Sequence, residues 1–223
     1  FAFASYSEAR SFLNPKYNLG NHENAAAVKT LISAQSPENK KELVEGAEKF
    51  IRNVADRGMN FLTNEDLTFE EQQKRFRELL IESFDIKTIA RFSLGRYWRK
   101  ATKDQRAEYL RLFKEMIIAV YSNRFDEYNG QKLKVKNARP EGQRDVMIST
   151  EIVSPGDGAS DIVVRWRIRY DDGQYKIIDV IIEGVSMLVS QRSDFSSVIQ
   201  RGGGKVEVLL AHMRDRVNSE KME

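Results

Sequence analysis

The hydrophobic period of this chain changes twice. It runs at about 3.6 residues up to Asn129-Gly130, at 2 through the next fifty or so residues, and helically again from about Ser193. A chain that segregates helices and then consecutive strands must build a single-sheet α+β domain, with helices on one face of the sheet.

The helical part divides at its caps. Ser36-Pro37-Glu38 predicts a first helix, whose stripe is Val44, Ala47, Ile51, Val54 and Gly58, with Leu43, Phe50, Met59 and Phe61 beside it. Thr68 and Glu71 form a capping box for a second helix carrying Phe69, Phe76, Leu79, Leu80 and Phe84. A short helix with Ile86, Ile89 and Ala90 follows Asp85 and ends near Leu94-Gly95. A second box, Thr102 to Gln105, opens the longest helix. Its predicted face is Leu110, Phe113, Ile117, Val120 and Tyr121, continuing to Phe125 and Tyr128.

Strands are predicted at 132–136, 145–153, 162–170 and from Tyr175 to Ile182, joined by Pro- and Gly-containing turns at 140–142, 155–158 and 171–173. Four consecutive strands with short turns make an antiparallel meander with one apolar face. Glu183-Gly184 then breaks the apolar run, and Gly184 supplies a turn or a close approach. Two closing helices, 193–200 and the segment holding Val206, Leu209, Leu210, Met213 and Val217, flank Gly202-Gly203-Gly204. The expected organisation is one domain over 37–217, a tail or surface-strapped segment over 1–36, and a disordered end over 218–223.

Composition removes several functions. The chain has 223 residues, 41% hydrophobic and 31% charged, with a net charge of +3. That is an ordinary globular balance, without the clustered basic module of a nucleic-acid binder. With no cysteine there is no disulfide, thiolate metal site or cysteine nucleophile. No apolar run is long enough to span a bilayer. His22 and His212 are far apart in sequence, and no metal-spaced cluster, nucleophile elbow or phosphate-binding loop is present, so neither cofactor nor metal is expected. Ala2-Phe3-Ala4 before Ser5 reads either as the remnant of a secretory cleavage site or as an arbitrary start.

Two acids stand out. Asp179 lies inside an apolar strand, where an ionised carboxylate needs partners. It reads as a general base in a concave-sheet enzyme, with Glu183 as the other candidate. The structural alternative is a partner for Arg91, Arg96, Arg99 or the amides of the turn. Trp98 and Trp166 read as core or as cavity wall. The rows Lys132/Lys134/Lys136 and Arg165/Arg167/Arg169 read as solvated edge protection, or as a patch for acidic protein or anionic lipid.

Two segments carry a family resemblance. DVIIEGVSMLVSQRSDF at 179–195, and 84–128 with Phe84-Asp85 and Leu94 to Trp98, resemble the MlaC family, the periplasmic phospholipid-binding proteins also called toluene-tolerance or Ttg2-type. The likeness runs from about 40 to 217 and has no counterpart for 1–36. It implies a nuclear-transport-factor-like α+β fold with an apolar lipid cavity between sheet and helices. It further implies a non-enzymatic periplasmic carrier that moves phospholipid between an inner-membrane MCE-protein ABC transporter complex and an outer-membrane lipoprotein complex. A related branch is linked to hopanoid biosynthesis, which widens the candidate cargo. The resemblance also favours the secretory reading of Ala2-Phe3-Ala4. The runner-up is a small-molecule enzyme with Asp179 or Glu183 as base.

Inward parity and apolar character then name the expected lipid-binding wall. The sheet provides Val146, Ile148, Ile152, Ile162, Val164, Trp166 and Ile168. The helices add Phe84, Ile89, Leu94, Trp98, Phe113, Ile117 and Tyr121, and the closing stretch Val185, Met187 and Val189. Asp179, Glu183 and Gly184 are expected as struts and hinge of the last turn.

Overall fold

A computed structural model describes residues 37–123, 125, 128, 130–155 and 161–219. The expectations placed on 1–36 (including the Ser36 cap, His22 and the Ala2-Phe3-Ala4 site), on Asn129, on the 156–158 turn and on 220–223 fall outside these residues.

The helices are α1 (Pro37–Leu62), α2 (Phe69–Ser83), α3 (Ile86–Leu94), α4 (Tyr97–Lys100) and α5 (Lys103–Ser122). Both capping boxes close as their spacing requires. Thr68 Oγ1 accepts from the Glu71 amide at 3.3 Å while Glu71 Oε2 accepts from the Thr68 amide at 2.8 Å, and Thr102 and Gln105 repeat the exchange. Each cap of this kind is worth about 1 kcal/mol. Asp85 caps α3 by accepting from the Thr88 amide at 2.9 Å.

The predicted face of α5 is too narrow. The helix buries Tyr109, Leu112, Phe113, Met116, Ile118, Ala119 and Ser122, because it is packed on two sides. It also stops at Ser122 rather than near Tyr128. Phe125, past its end, packs edge-on against Phe76, with ring centroids 5.4 Å apart at 80°.

The sheet contains β1 (Lys132–Glu141), β2 (Asp145–Val153), β3 (Ile162–Asp171), β4 (Gln174–Ile182) and β5 (Val185–Ser186), in that order and antiparallel throughout. The fifth strand is an addition to the expected four. Glu183 and Gly184 both have positive φ, 48° and 87°. This primed two-residue turn folds Val185 back onto Ile182. Helix α6 (Met187–Arg201) therefore starts six residues before Ser193, capped by Ser186 Oγ accepting from the Val189 amide at 3.1 Å. Helix α7 (Val206–Ser219) closes the chain and carries Asn218 and Ser219, which were expected in a disordered end.

The two sheet edges are protected differently. Beyond the short β5, the β4 edge meets the α2–α3 junction, where the Asp85 amide donates to the Ile177 carbonyl at 3.0 Å. The β1 edge carries Lys132, Lys134 and Lys136, Pro140 and a register shift at Lys136, all of which obstruct strand addition. Three of the six residues in the outer basic rows pair with acids across strands. Arg169 forks onto Asp145 with two contacts of 2.8 Å, Arg167 lies 3.0 Å from Glu141, and Lys136 lies 2.9 Å from Glu151.

Two cores result. The first lies between α1, α2 and the inner sheet face and holds Ala47, Ile51, Phe76, Leu80, Ile148, Val164 and Ile168. The second is all helical, built from α3 to α7 around Tyr109, Phe113, Ile199, Leu209 and Met213. Ile86, Ile89 and Ile117 touch both. α1 is tied to the sheet near its start, where the Tyr175 hydroxyl donates to the Leu43 carbonyl at 3.1 Å. Gly46 makes that approach possible, since a Cβ there would sit 2.2 Å from the Tyr175 oxygen.

Candidate functional site: an apolar cavity under the first helix

Further along α1 the helix spans a cavity of about 100 Å³. Ile51, Val54, Ala55, Gly58, Met59 and Leu62 recur at intervals of one helical turn, so one face of α1 supplies the roof, with Phe61 beside it. Phe76 and Leu79 of α2, and Tyr121 at the end of α5, form a side. Leu133, Ile152 and Trp166 provide the floor, from β1, β2 and β3, and Phe125, Tyr128 and Gln131 complete the lining. Gly58 leaves room in the roof, since the nearest atom to a Cβ placed there is 3.9 Å away, on Leu79.

The polar atoms near this floor are consumed internally. Trp166 Nε1 donates to Thr150 Oγ1 at 2.9 Å, and Thr150 Oγ1 donates to the Val164 carbonyl at 2.9 Å. Thr150 is fully buried. The relay leaves the tryptophan with an apolar face and no unmet donor, which a dry binding surface needs. Aromatic rings crowd one side: Phe61 lies 5.7 Å from Phe125 and 6.4 Å from Phe76, centroid to centroid. A wider groove of about 830 Å³ shares Leu62, Phe125 and Tyr128 with the cavity.

Of the expected wall residues, Tyr121, Ile152 and Trp166 line the cavity. Val146, Ile148, Val164 and Ile168 are fully buried in the same core without bordering the void, and Ile162 is half-buried there. Phe84 is buried at the end of α2, pairing with Ile177, and Ile89 and Ile117 sit between the cores. Leu94, Trp98 and Phe113 belong to the second core, a correction with a packing cause: α5 presents Phe113 to α6 rather than to the sheet, 6.2 Å from Phe195. Trp98 is flanked by the guanidinium groups of Arg91 and Arg106 at 6.0 and 5.5 Å.

The closing stretch is corrected too. Val185 pairs with Ile182 of β4, Met187 packs at the margin of the first core, and Val189 is 58% exposed on α6; none of the three lines the cavity. Gly184 is thus a turn on the far edge of the sheet, remote from the cavity. The missed residues are mainly the α1 face, Phe125 and Thr150. The α1 stripe is legible as a helix face, but periodicity does not separate a face that fills space from one that leaves some. Thr150 had a signal, a polar residue at inward parity among Val146, Ile148 and Ile152.

The two acids are structural partners in this geometry. Asp179 Oδ2 accepts from Ser186 Oγ at 2.7 Å and Oδ1 from the Leu188 amide at 3.1 Å, which joins β4 to the start of α6. Its partner is the turn, not Arg91, Arg96 or Arg99. In the sheet register Asp179 opposes Arg167, and its neighbour Val180 opposes Trp166, so Asp179 has the opposite parity to the cavity floor. Glu183 accepts from the Val163 amide at 2.6 Å and donates its own amide to the Val163 carbonyl at 3.0 Å. These contacts give the enzyme alternative no base in the cavity. Among the described residues there is no group of three or more potential metal ligands and no helix long and apolar enough to cross a membrane.

This architecture has relatives. The fold is similar to that of a phospholipid-binding protein from Ralstonia solanacearum, solved in complex with a phospholipid, with a TM-score of 0.69 at 19% identity over 78% of this chain and 98% of that one. In sequence the chain is 23% identical over 123 residues to the intermembrane phospholipid transport system binding protein MlaC of Haemophilus influenzae, covering 54% of this chain and 56% of that protein. It is 25% identical over 112 residues to the toluene tolerance protein ttg2D of Pseudomonas putida, covering 50% and 51%. The chain thus spans about half the length of these curated relatives. The sequence profile of the family described as MlaC protein matches residues 52–215. Over that span, which is most of its length, the chain belongs to the MlaC family.

Proposed function

We propose that this protein is a phospholipid carrier that buries acyl chains between α1, α2 and the β1–β3 half of the sheet. The observation that supports this most is the cavity itself. It lies between helix and sheet, its wall is aliphatic and aromatic, and the indole donor of Trp166 is already satisfied. Hiding each methylene of a chain from water gains about 0.8 kcal/mol, so a wall of this kind is sufficient for affinity without a charged pocket at depth.

The cavity volume of about 100 Å³ lies below the roughly 300–1,000 Å³ of ordinary small-molecule sites. Loading therefore displaces the α1 roof from the sheet. The fixed end of that movement is the Tyr175–Leu43 tie, and the free end is the Met59–Leu62 turn beside Phe125. The reading extends to a periplasmic role between an inner-membrane MCE-protein ABC transporter complex and an outer-membrane lipoprotein complex, which family membership supports. Release at either complex is by docking that lifts α1, because spontaneous loss would return the chains to water. The cargo is a phospholipid, with a hopanoid-class lipid as the alternative that its mass distinguishes.

The test is native mass spectrometry of the purified protein, delipidated and then offered phosphatidylethanolamine vesicles. Uptake of one or more lipids is expected. Gly58→Phe, which places a ring in the cavity, is expected to abolish uptake while the protein stays folded by circular dichroism. A folded wild-type protein that acquires no lipid would sink the carrier reading.

A further inference from the structure

The net charge of +3 is unevenly distributed. Residues 86–122 and 187–219, which build the second core, carry a net of +8, so the rest of the chain stands at −5. The excess is densest where α3, α4 and the start of α5 meet. Seven cations and one acid, Asp104, lie between Ile86 and Arg106. Residues 1–36 and 220–223 together carry no net charge, so the ends of the chain supply no excess acid against it.

The cations gather around three aromatic rings. Arg91 and Arg106 flank Trp98. Arg96 and Lys100 stand 5.0 and 5.7 Å from the ring centre of Tyr97. Arg192 reaches over from α6 to lie 5.0 Å from the ring centre of Phe92, which is 39% exposed. Gly95 leaves space for it, since a Cβ there would meet Arg192 Nε at 3.0 Å. None of these five cations forms an ion pair among the described residues, in contrast to the rows on the outer sheet face. On the same helices, Glu108 is held by Arg214 at 2.8 Å, and desolvation raises the half-buried Asp194 carboxyl, which disfavours its charged form.

A ring beneath a cation takes none of its N–H donors. The side chains of Arg91, Lys100 and Arg192 make no hydrogen bond among the described residues, and Arg96 gives one, to the Tyr97 hydroxyl at 3.0 Å. These donors are spread over four helices rather than converging on one point, so they suit a layer of phosphates better than a single anion. The exposed ring of Phe92 favours a bilayer over an acidic protein, because it can enter the headgroup layer beside the charges.

We propose that this face of α3 to α6 binds the surface of an anionic bilayer, with its cations at lipid phosphates and Phe92 among the headgroups. None of these residues lines the cavity, so the second core rests on the membrane while α1 stays free to move. Such binding needs no lipid in the cavity and is independent of the carrier reading.

The test is sedimentation of the full chain with vesicles of phosphatidylcholine, alone or mixed with phosphatidylglycerol. Binding to the mixed vesicles only is expected, with most of it lost at about 0.5 M salt. Each cation near such a surface contributes about fivefold, so Arg91→Gln with Lys100→Gln should weaken binding about 25-fold. Both side chains are exposed, and the variant is expected to stay folded by circular dichroism. Lys134→Gln with Arg165→Gln, which removes the same charge from the outer sheet face, should weaken binding less than about twofold. Phe92→Ala should weaken it about fivefold. Equal binding to both vesicle types, equal losses in the two double variants, or unchanged binding by Phe92→Ala would overturn the bilayer site. So would retention on immobilised polyglutamate without binding to vesicles, which would put an acidic protein in place of the bilayer. Lipid uptake is scored separately by native mass spectrometry: uptake without vesicle binding overturns this surface alone, and vesicle binding without uptake overturns the carrier alone.

Discussion

The two cores are built from similar residues and do different things. The helical core of α3 to α7 is filled: Tyr109, Phe113 and Phe195 interlock with centroid separations of 5.8 to 6.2 Å, and the Tyr109 hydroxyl donates to the Ala90 carbonyl at 2.9 Å. The core under α1 is filled beneath Val146, Ile148 and Ile168 but leaves a void under Gly58. Helices can slide and rotate to close on one another, whereas a helix lying across strands follows a surface whose shape the strands set. What differs is thus the partner of the helix rather than the hydrophobicity of either core. One core is a brace. The other encloses a void.

The largest test of that contrast is truncation. Leu209→Ala, in the filled core, is expected to cost about 4 kcal/mol, and Leu79→Ala, which already borders a void, about 2 to 3 kcal/mol, both read from denaturant midpoints. Equal losses would erase the distinction. Next comes the tie that seats α1. Gly46→Ala drives a methyl group into Tyr175 and is expected to destabilise by about 1 to 3 kcal/mol. Pairing it with Tyr175→Phe, which removes the 2.2 Å contact but keeps ring atoms at 2.7 and 2.8 Å, should recover little, whereas Tyr175→Ala should restore more of the loss.

A smaller effect of opposite sign is expected at Gly58. Gly58→Ala should stabilise by about 0.5 to 1 kcal/mol, because the site is helical and the added methyl group has space. A destabilising result would mean that the roof at Gly58 has no room for a methyl group beside Leu79. The smallest effect concerns the brace. Arg214 of α7 bonds Glu108 of α5 through two contacts of 2.8 Å, and these hold the Glu108 carboxyl below its ordinary value of 4.5. A depressed acid stabilises the fold fully above its unfolded pKa and loses that contribution as pH falls through the folded one. Unfolding midpoints should therefore drop below about pH 4.5, and Glu108→Gln should flatten part of that decline; because the pair is partly exposed the change is small. An unaltered acid limb in the variant would assign the pair no role in the brace.

Local chemistry made much of this molecule legible in advance. Thr68–Glu71, Thr102–Gln105 and Asp85 marked helix starts to the residue, since a cap is made within four residues and needs no distant partner. The strand parities of Ile152 and Trp166 were legible for the same reason. The misses share a cause. Phe113, Leu94 and Trp98 are as apolar as true cavity residues, and only the packing of α5 between two layers sends them to the second core. Val189 follows an apolar run in the sequence, yet the Glu183-Gly184 turn starts α6 early and leaves it on the surface.

By itself the sequence determined the α+β class, the meander, the capped starts of α2, α3 and α5 and the family, because each depends on spacing along the chain. It also held the clue that Asp179 needs partners in an apolar strand. The tertiary structure alone decided that those partners are Ser186 and the Leu188 amide, that the cavity lies under α1 rather than beside Gly184, and that polar and apolar pockets adjoin at Phe125. A void is a property of surfaces brought together from distant segments, and hydrophobic periodicity reports only which face is buried.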